Sequence, residues 1–165
     1  METYLLDTSA LTPLLDSTHL KHSAAKALIV SLNGAPIYVS AISLAEMMYG
    51  LALYEKTHGI KLPNADQMLS DAKPFPLLDV ERHTVAEYAA LKATVAIHYL
   101  PNVTKQYRTK YVEDWIEKFT GKALGIDDND LWICAQACEM NFTLIADDKM
   151  NRIKKAELKL KIIPI

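Results

Sequence analysis

The sequence predicts an α/β fold, a three-layer α/β/α sandwich around a parallel sheet, in one domain that spans residues 1–165. Short apolar runs alternate with longer segments of helical periodicity, a pattern typical of strands joined by crossover helices. Several apolar runs end in a polar or acidic residue, at the position where open parallel sheets bind ligands. A chain of 165 residues is long enough for one full hydrophobic core and short for two.

The first half of the chain begins with a short buried strand that ends at Asp7. Asn33 and Gly34 are a typical helix end after residue 31. Ser43 with Glu46 three residues later fits a capping box, and Ser40 competes as the cap. We predict strands at residues 3–6 and 36–39, and helices at residues 9–16, 19–31, 44–55 and 64–72.

The second half continues the alternation. Residues 101–122 are rich in Lys, Arg and aromatic residues, and we expect a helix through Trp115 and Phe119 that ends at Gly121. Acidic residues at 127–130 open the next helix, since negative charge is favoured in a first helical turn. We predict strands at residues 75–80 and 142–146, helices at residues 84–99 and 131–140, and an edge strand at residues 158–163.

The composition constrains the function of the protein less than it constrains the fold. Half of the residues are hydrophobic, 23% are charged, and the formal net charge of −2 does not itself indicate nucleic-acid binding. Cys134 and Cys138 lie four apart on a predicted helix, a spacing that suits neither a disulfide nor a zinc site. We therefore expect reduced thiols in a cytoplasmic protein. No signal peptide or apolar stretch of the ~18 residues needed for a membrane span is evident, so no membrane association is expected.

Four acidic positions recur at element boundaries: Asp7, Glu46, Asp130 and the pair Asp147 and Asp148. Strand ends in a parallel sheet, and the helices that follow them, share one edge, so these carboxylates can converge there. Carboxylates in such proximity repel one another, and a cation removes the conflict. Oxygen ligands without His or Cys suit Mg²⁺ or Mn²⁺. Metal ions held in this way can bind a phosphodiester and activate water.

Each acid also has a purely structural interpretation, which stays open at this point. Asp7 fits a helix N-cap, and Glu46 fits the second half of the capping box with Ser43. Asp130 fits a residue that complements the helix dipole. Asp147 or Asp148 fits a turn.

The chain resembles PIN-domain ribonucleases, of the kind found as the toxin in VapBC toxin–antitoxin pairs. Four short motifs that span nearly the whole chain carry the resemblance in family order. They are LLDTSAL (residues 5–11), SAISLAEMMYG (40–50), DLWICAQA (130–137) and LIADD (144–148).

The resemblance implies a PIN-like sandwich and cleavage of RNA that depends on Mg²⁺ or Mn²⁺. By motif, Asp7, Glu46 and Asp130 match the first three catalytic, metal-binding acids. Asp148 is our choice for the fourth, and Asp147 is the neighbour with which it can be confused.

Two supporting positions follow from the same motifs. Ser9 matches a hydroxyl that supports the first acid, and Asp147 is a further supporting residue. Ala146 stands where the family usually has a small hydroxyl residue, so one supporting hydrogen bond is expected to be missing. A PIN-fold module that binds RNA or protein without turnover is therefore the alternative function.

A group of basic residues follows the last acids directly. The group is interpreted either as a solvated helix face or as a rim that contacts RNA phosphates. Its members are Lys149, Arg152, Lys154 and Lys155. The implied partners are an RNA substrate, a cognate antitoxin protein and a second copy in a homodimer. The apolar cluster at residues 47–53 exceeds what one buried helix face needs, so part of it can serve such a protein partner.

Overall fold

The computed structural model describes residues 2–101, 111–147 and 150–165. Within them, strands and helices alternate as the sequence predicts. The strands are β1 (Tyr4–Leu6), β2 (Ile37–Ser40), β3 (Leu77–Leu78), β4 (Thr143–Ala146) and β5 (Lys161–Pro164). The helices are α1 (Thr8–Leu15), α2 (His22–Ser31), α3 (Ala41–His58), α4 (Ala65–Ala72), α5 (Arg82–Tyr99), α6 (Asp128–Met140) and α7 (Asn151–Ala156).

The five strands form one sheet in the order β3-β2-β1-β4-β5. The central strand β1 pairs in parallel with β2 and β4, and β2 pairs in parallel with β3. Leu5, in the middle of β1, lies opposite Tyr38 on one side and Leu144 on the other. All of β1 is buried, which explains why it reads as a continuous apolar run. The predicted α/β class, a parallel sheet flanked by helices, is confirmed.

The chain divides into two compact units. The first unit comprises Met1–Asp79, Thr143–Asp147 and Ile163–Ile165, and the second comprises Val80–Phe142 and Asp148–Ile162. The core of the first unit is formed by buried side chains of β1, α1, α3 and α4, among them Leu6, Leu11, Met47 and Met68. That residues 1–165 make a single domain stays a prediction.

The second unit is built on α5, α6 and α7. Leu91 of α5 and Leu131 of α6 are buried, and the equally buried Trp115 comes from the segment before α6. Cys134 lies against Met150, with 3.8 Å between the two sulfur atoms. Cys134 and Cys138 are both free thiols, as the spacing predicts. Among the described residues, no helix has the length and apolarity that crossing a membrane requires.

Several element boundaries differ from the prediction, and at two of them a local hydrogen bond explains the difference. Helix α2 begins at His22 rather than at residue 19, because residues 16–19 form a turn in which the Thr18 amide donates to Asp16 Oδ1 at 2.8 Å. Helix α3 begins at Ala41, and the N-cap is Ser40, whose hydroxyl accepts a hydrogen bond from the Ile42 amide at 3.1 Å. The predicted capping box of Ser43 with Glu46 is therefore wrong, since both residues lie inside the helix.

The predicted helix through Trp115 and Phe119 is also wrong over the described residues 111–121. A short 3₁₀ turn at Val112–Asp114 is followed by an antiparallel bridge between Ile116 and Ala123. Gly121 sits in the left-handed region at φ +68° and closes the turn between them. Burial of Trp115 and the turn geometry at Gly121 determine the conformation here, and helical spacing of the aromatic residues does not.

Candidate metal and RNA site

Asp7 follows β1 directly and is the N-cap of α1. Its carboxylate Oδ2 accepts hydrogen bonds from the Ser9 amide at 3.2 Å and from the Ser9 hydroxyl at 2.6 Å. Its own amide donates to the carbonyl of Ile145 in β4 at 3.0 Å. The residue is only 2% exposed. The carboxylate is thus fixed at the end of the central strand by its neighbour and by the sheet.

Ser9 joins two of the predicted site residues. Its hydroxyl donates to Asp7 and accepts a hydrogen bond from the backbone amide of Asp147 at 3.0 Å. The residue before that amide is Ala146, at the position where the family usually has a small hydroxyl residue. Ser9 therefore provides a hydroxyl acceptor for the Asp147 amide, although Ala146 itself has none.

Glu46 is brought to the same part of the first unit by α3. The Thr8 hydroxyl donates to Glu46 Oε2 in a short hydrogen bond. One turn earlier in α3, the Ser43 hydroxyl donates to the carbonyl of Leu6 at 3.2 Å. The two consecutive hydroxyls after Asp7 therefore hold one predicted acid each: Thr8 holds Glu46, and Ser9 holds Asp7.

Asp130 lies in the second unit, in the first turn of α6, and is 3% exposed. Its amide donates to Asp127 Oδ1 at 2.9 Å, and its Oδ2 accepts from the Asp127 amide at 2.9 Å. The two aspartates thus form a reciprocal capping box. The structural interpretation of Asp7 as an N-cap holds, and Asp130, interpreted as complementing the helix dipole, does lie in the first turn of α6. Capping does not exclude metal coordination, because a carboxylate has about four lone-pair sites.

The donor set suits a hard cation. The site residues described in the first unit offer carboxylate and hydroxyl oxygens, the ligands that Mg²⁺ and Mn²⁺ prefer. Within residues 2–101, 111–147 and 150–165, no three His, Cys, Asp or Glu side chains are grouped closely enough to hold a metal ion. Asp148, the fourth predicted acid, lies outside the described residues.

The basic residues after β4 differ in their surroundings. Lys149 lies outside the described residues. The Arg152 guanidinium donates to the carbonyl of Ala123 at 3.3 Å and, in a short contact, to the carbonyl of Leu124. Lys154 and Lys155 are exposed in the last turn of α7. Arg152 therefore ties α7 to the segment before α6, and the two lysines face solvent.

A polar network at the start of α6 escaped the sequence reasoning. Lys92 Nζ and the Tyr88 hydroxyl of α5 each donate to Asp128 Oδ1 at 2.7 Å, and Lys92 also donates to the Tyr88 oxygen at 2.7 Å. The Tyr88 ring stacks on Trp132 with 3.7 Å between ring centroids. The spacing of four residues in both pairs, Tyr88 with Lys92 and Asp128 with Trp132, was the only available signal.

The pKa values of Lys92 and Tyr88 are both shifted in these surroundings. Burial tends to lower the pKa of Lys92, but the hydrogen bonds to Asp128 and Tyr88 outweigh it, so the pKa is raised. Burial raises the pKa of Tyr88, and Asp128 adds to that rise while Lys92 opposes it. The lysine therefore stays cationic and the tyrosine stays neutral at physiological pH.

The parallel sheet flanked by helices, with Asp7 fixed directly after β1, defines the chain as an α/β protein. Comparison with known proteins then gives the family: the PIN domain model matches residues 4–157, and the chain belongs to that family. No curated protein matches the chain.

Three solved structures illustrate the likeness, and one of them, VapBC-5, is described as a member of the VapBC family of toxin–antitoxin systems. VapBC2 from Rickettsia felis, bound to a DNA fragment from its promoter, is 18% identical over 99% of this chain and 98% of that chain, with a TM-score of 0.66. DNA-bound VapBC from Salmonella typhimurium is 15% identical over 99% and 98%, with a TM-score of 0.61. VapBC-5 from Mycobacterium tuberculosis is 19% identical over 100% of both chains, with a TM-score of 0.57.

Proposed function

We propose that this PIN-domain protein is an endoribonuclease that depends on Mg²⁺ or Mn²⁺, and that it is the toxin of a type II toxin–antitoxin system. The observation that carries the proposal is the fixed carboxylate of Asp7 at the end of β1, held by Ser9 and followed by Thr8, which holds Glu46. Membership of the PIN domain family supports the reaction type. The similarity to VapBC complexes supports the biological role.

In this proposal Asp7, Glu46, Asp130 and Asp148 are the metal ligands. A divalent cation bound by them would supply Lewis-acid stabilisation of charge on the scissile phosphodiester and activation of a water. The hydroxyls of Thr8 and Ser9 hold two of the carboxylates in place before any ligand arrives, so little reorganisation is needed on binding. The exposed amines of Lys154 and Lys155 would contact RNA phosphates, and such contacts position RNA without selecting its sequence.

The partners in this proposal are RNA, an antitoxin protein and a second copy of the chain. Met48, Tyr49 and Leu53 are large apolar side chains exposed on α3, and apolar surface of this kind often marks a protein interface. Light scattering of the purified protein, alone and with a co-expressed antitoxin, would measure both assemblies. A monomer that binds no such protein would contradict this part of the proposal.

The experiment that tests the activity is cleavage of end-labelled RNA with and without Mn²⁺, by the wild type and by Asp7→Asn. Asn is as good an N-cap as Asp, so the variant should keep α1 intact and unfold at the wild-type temperature. We expect its cleavage rate to fall by about 100-fold or more, since even outer-shell changes at metal sites cost 10 to 100-fold.

The matched control is Asp71→Asn, the same substitution at an exposed carboxylate of α4. It should cleave like the wild type. Wild-type protein that binds RNA without cleaving it in Mn²⁺ would overturn the nuclease proposal and favour the binding module. Equal cleavage by Asp7→Asn and the wild type would remove Asp7 from the site.

A further inference from the structure

We infer that Lys92 is a positioning residue for the active site: through Asp128 it holds the first turn of α6, and so sets the carboxylate of Asp130. The inference rests on the proposed function, in which Asp130 binds metal. It concerns a lysine that none of the four PIN-like motifs contains.

The position of Asp130 depends on its immediate neighbours. Its two hydrogen bonds to Asp127, one in each direction at 2.9 Å, make the orientation of its carboxylate a function of the backbone at residue 127. Any movement of the start of α6 would therefore move Asp130 as well. Contacts that hold the start of α6 in place therefore also hold the carboxylate of Asp130, the proposed metal ligand.

The segment that leads into α6 is held from one side by α7. Arg152 donates to the carbonyls of Ala123 and Leu124, and the Leu124 amide donates to the carbonyl of Trp115 at 2.7 Å. Leu124 is fully buried. Closer to the helix, Ile126 is buried, and the Asp128 amide donates to Glu113 Oε1 at 3.3 Å. These contacts hold the backbone that leads into α6.

Helix α5 holds the first turn of α6 through the side chain of Asp128. The lysine amine and the tyrosine hydroxyl converge on one oxygen, Asp128 Oδ1. Four residues further along α6, Trp132 stacks on the Tyr88 ring with only 6° between the planes. Residues four apart lie on the same face of a helix, so α5 contacts one face of α6 at two successive turns.

The ion pair in this network is better protected than an ordinary surface pair. The side chains of Lys92 and Asp128 are 28% and 41% exposed, against 57% and 81% for the ion pair of Lys61 with Asp66 in the first unit. Exposed pairs contribute little to stability, and shared hydrogen bonds with a third group strengthen a pair. Lys92 also offsets one of three negative charges that lie within four residues, at Asp127, Asp128 and Asp130.

The test is amide hydrogen exchange of Asp127 and Asp130, followed by NMR in the full-length protein. Lys92→Met should speed exchange at both amides about ten-fold, the change expected when a charge-assisted hydrogen bond that holds a local structure is removed. Lys92→Arg should restore slow exchange, because a guanidinium can also bond to Asp128. Tyr88→Phe keeps the ring stack, removes one donor and should have a smaller effect in the same direction.

Lys61→Met is the matched control, since it removes the more exposed ion pair by the same substitution, and both amides should then exchange as in the wild type. In RNA cleavage, Lys92→Met should lower kcat about ten-fold with KM nearly unchanged, and Lys92→Arg should recover most of the loss.

Unchanged exchange at Asp127 and Asp130 in Lys92→Met would overturn the inference, and so would faster exchange with unaltered kcat. A wild type that cleaves no RNA would overturn the proposed function instead, while the exchange data would still decide whether Lys92 holds the start of α6.

Discussion

The Ser43 hydroxyl donates a hydrogen bond to the carbonyl of Leu6 at 3.2 Å, and both residues are fully buried. The contact joins α3 to the end of the central strand, one residue before Asp7. Glu46 lies one helical turn further along α3 and receives the Thr8 hydroxyl. This hydrogen bond therefore helps to fix the position of α3 along β1, and with it the position of Glu46 relative to Thr8.

Ser43→Ala should lower the free energy of unfolding by about 1–3 kcal/mol, because it removes a buried hydroxyl and leaves the Leu6 carbonyl without that donor. Urea denaturation followed by circular dichroism measures the loss. Ser31→Ala is the control, since its exposed hydroxyl donates to the Leu28 carbonyl in α2 and its removal should change the free energy by about 0.5 kcal/mol or less. Equal losses in the two variants would contradict a tethering role for Ser43.

Asp16 should titrate below its ordinary range and make the stability depend on pH. Burial tends to raise its pKa, but hydrogen bonds from the Thr18 hydroxyl and amide and from Asn64 outweigh it, so the pKa is lowered from 3.8. A lowered pKa in the folded state contributes stability above the unfolded value, and that contribution is lost as the pH falls through the folded pKa. The advantage of the wild type over Asp16→Asn, about 1 kcal/mol or less, should be present at pH 6 and vanish in acid.

The direct measurement is an NMR titration of the Asp16 carboxyl carbon in the wild type and in Asn64→Ala. Removal of the amide donor should move the midpoint upward, toward the ordinary value. Identical midpoints in the two proteins would show that Asn64 does not stabilise the carboxylate.

Cys138 should react slowly with thiol reagents in the folded protein. Burial, followed by the charges of Glu157 and Glu87, raises the pKa of this thiol to about 12. Thiolate is the reactive form, so the alkylation rate should be very low at pH 8 and should still be rising at pH 10. Mass spectrometry after iodoacetamide treatment, with Cys138→Ser to assign the site and urea-unfolded protein as the reactive control, measures this. A rate that levels off near pH 9 would contradict the raised pKa.

Lys154 and Lys155 should contribute to RNA affinity and not to stability. In the Asp7→Asn background, in which cleavage should be strongly reduced, Lys154→Ala together with Lys155→Ala should weaken the binding of single-stranded RNA. The slope of log K against log salt should become less steep by about 0.7 for each phosphate that the protein no longer neutralises. The paired control, Lys26→Ala with Lys56→Ala, removes two exposed helix lysines of the first unit and should leave the slope unchanged. Equal slopes for both double variants would argue against a phosphate-contacting rim on α7.

Local patterns predicted much of the fold. The strand before Asp7 is a continuous apolar run because β1 is buried between two neighbouring strands. The start of α6 was predicted within a few residues, because acids at 127–130 satisfy the exposed amides of a first turn. The positions of Asp7 and Asp130 at element boundaries were predicted for the same reason.

The features that the sequence did not predict depend on contacts between residues that are far apart in the chain. Ser40 and Ser43 fit a helix cap equally well, and only the carbonyl of Leu6, 37 residues away, shows that Ser43 belongs inside the helix. The network of Lys92 with Asp128 joins residues 36 apart, and neither residue stands out in its own segment. Trp115 has helical spacing to Phe119, yet its burial in the second unit and the turn at Gly121 determine the local conformation.

The sheet ends on one side at β3, a strand of only two residues that follows Pro74 and Pro76. The Pro76 carbonyl faces β2 and pairs with the Val39 amide at 3.0 Å, and the amide of the adjacent Phe75 is already paired with the carbonyl of Ala72 at 3.2 Å. Little main chain is therefore left on this flank for another molecule to extend by hydrogen bonding. A short edge of this kind disfavours edge-to-edge pairing with further copies of the chain. Longer exposed edge strands pair in this way more readily, above all at high protein concentration.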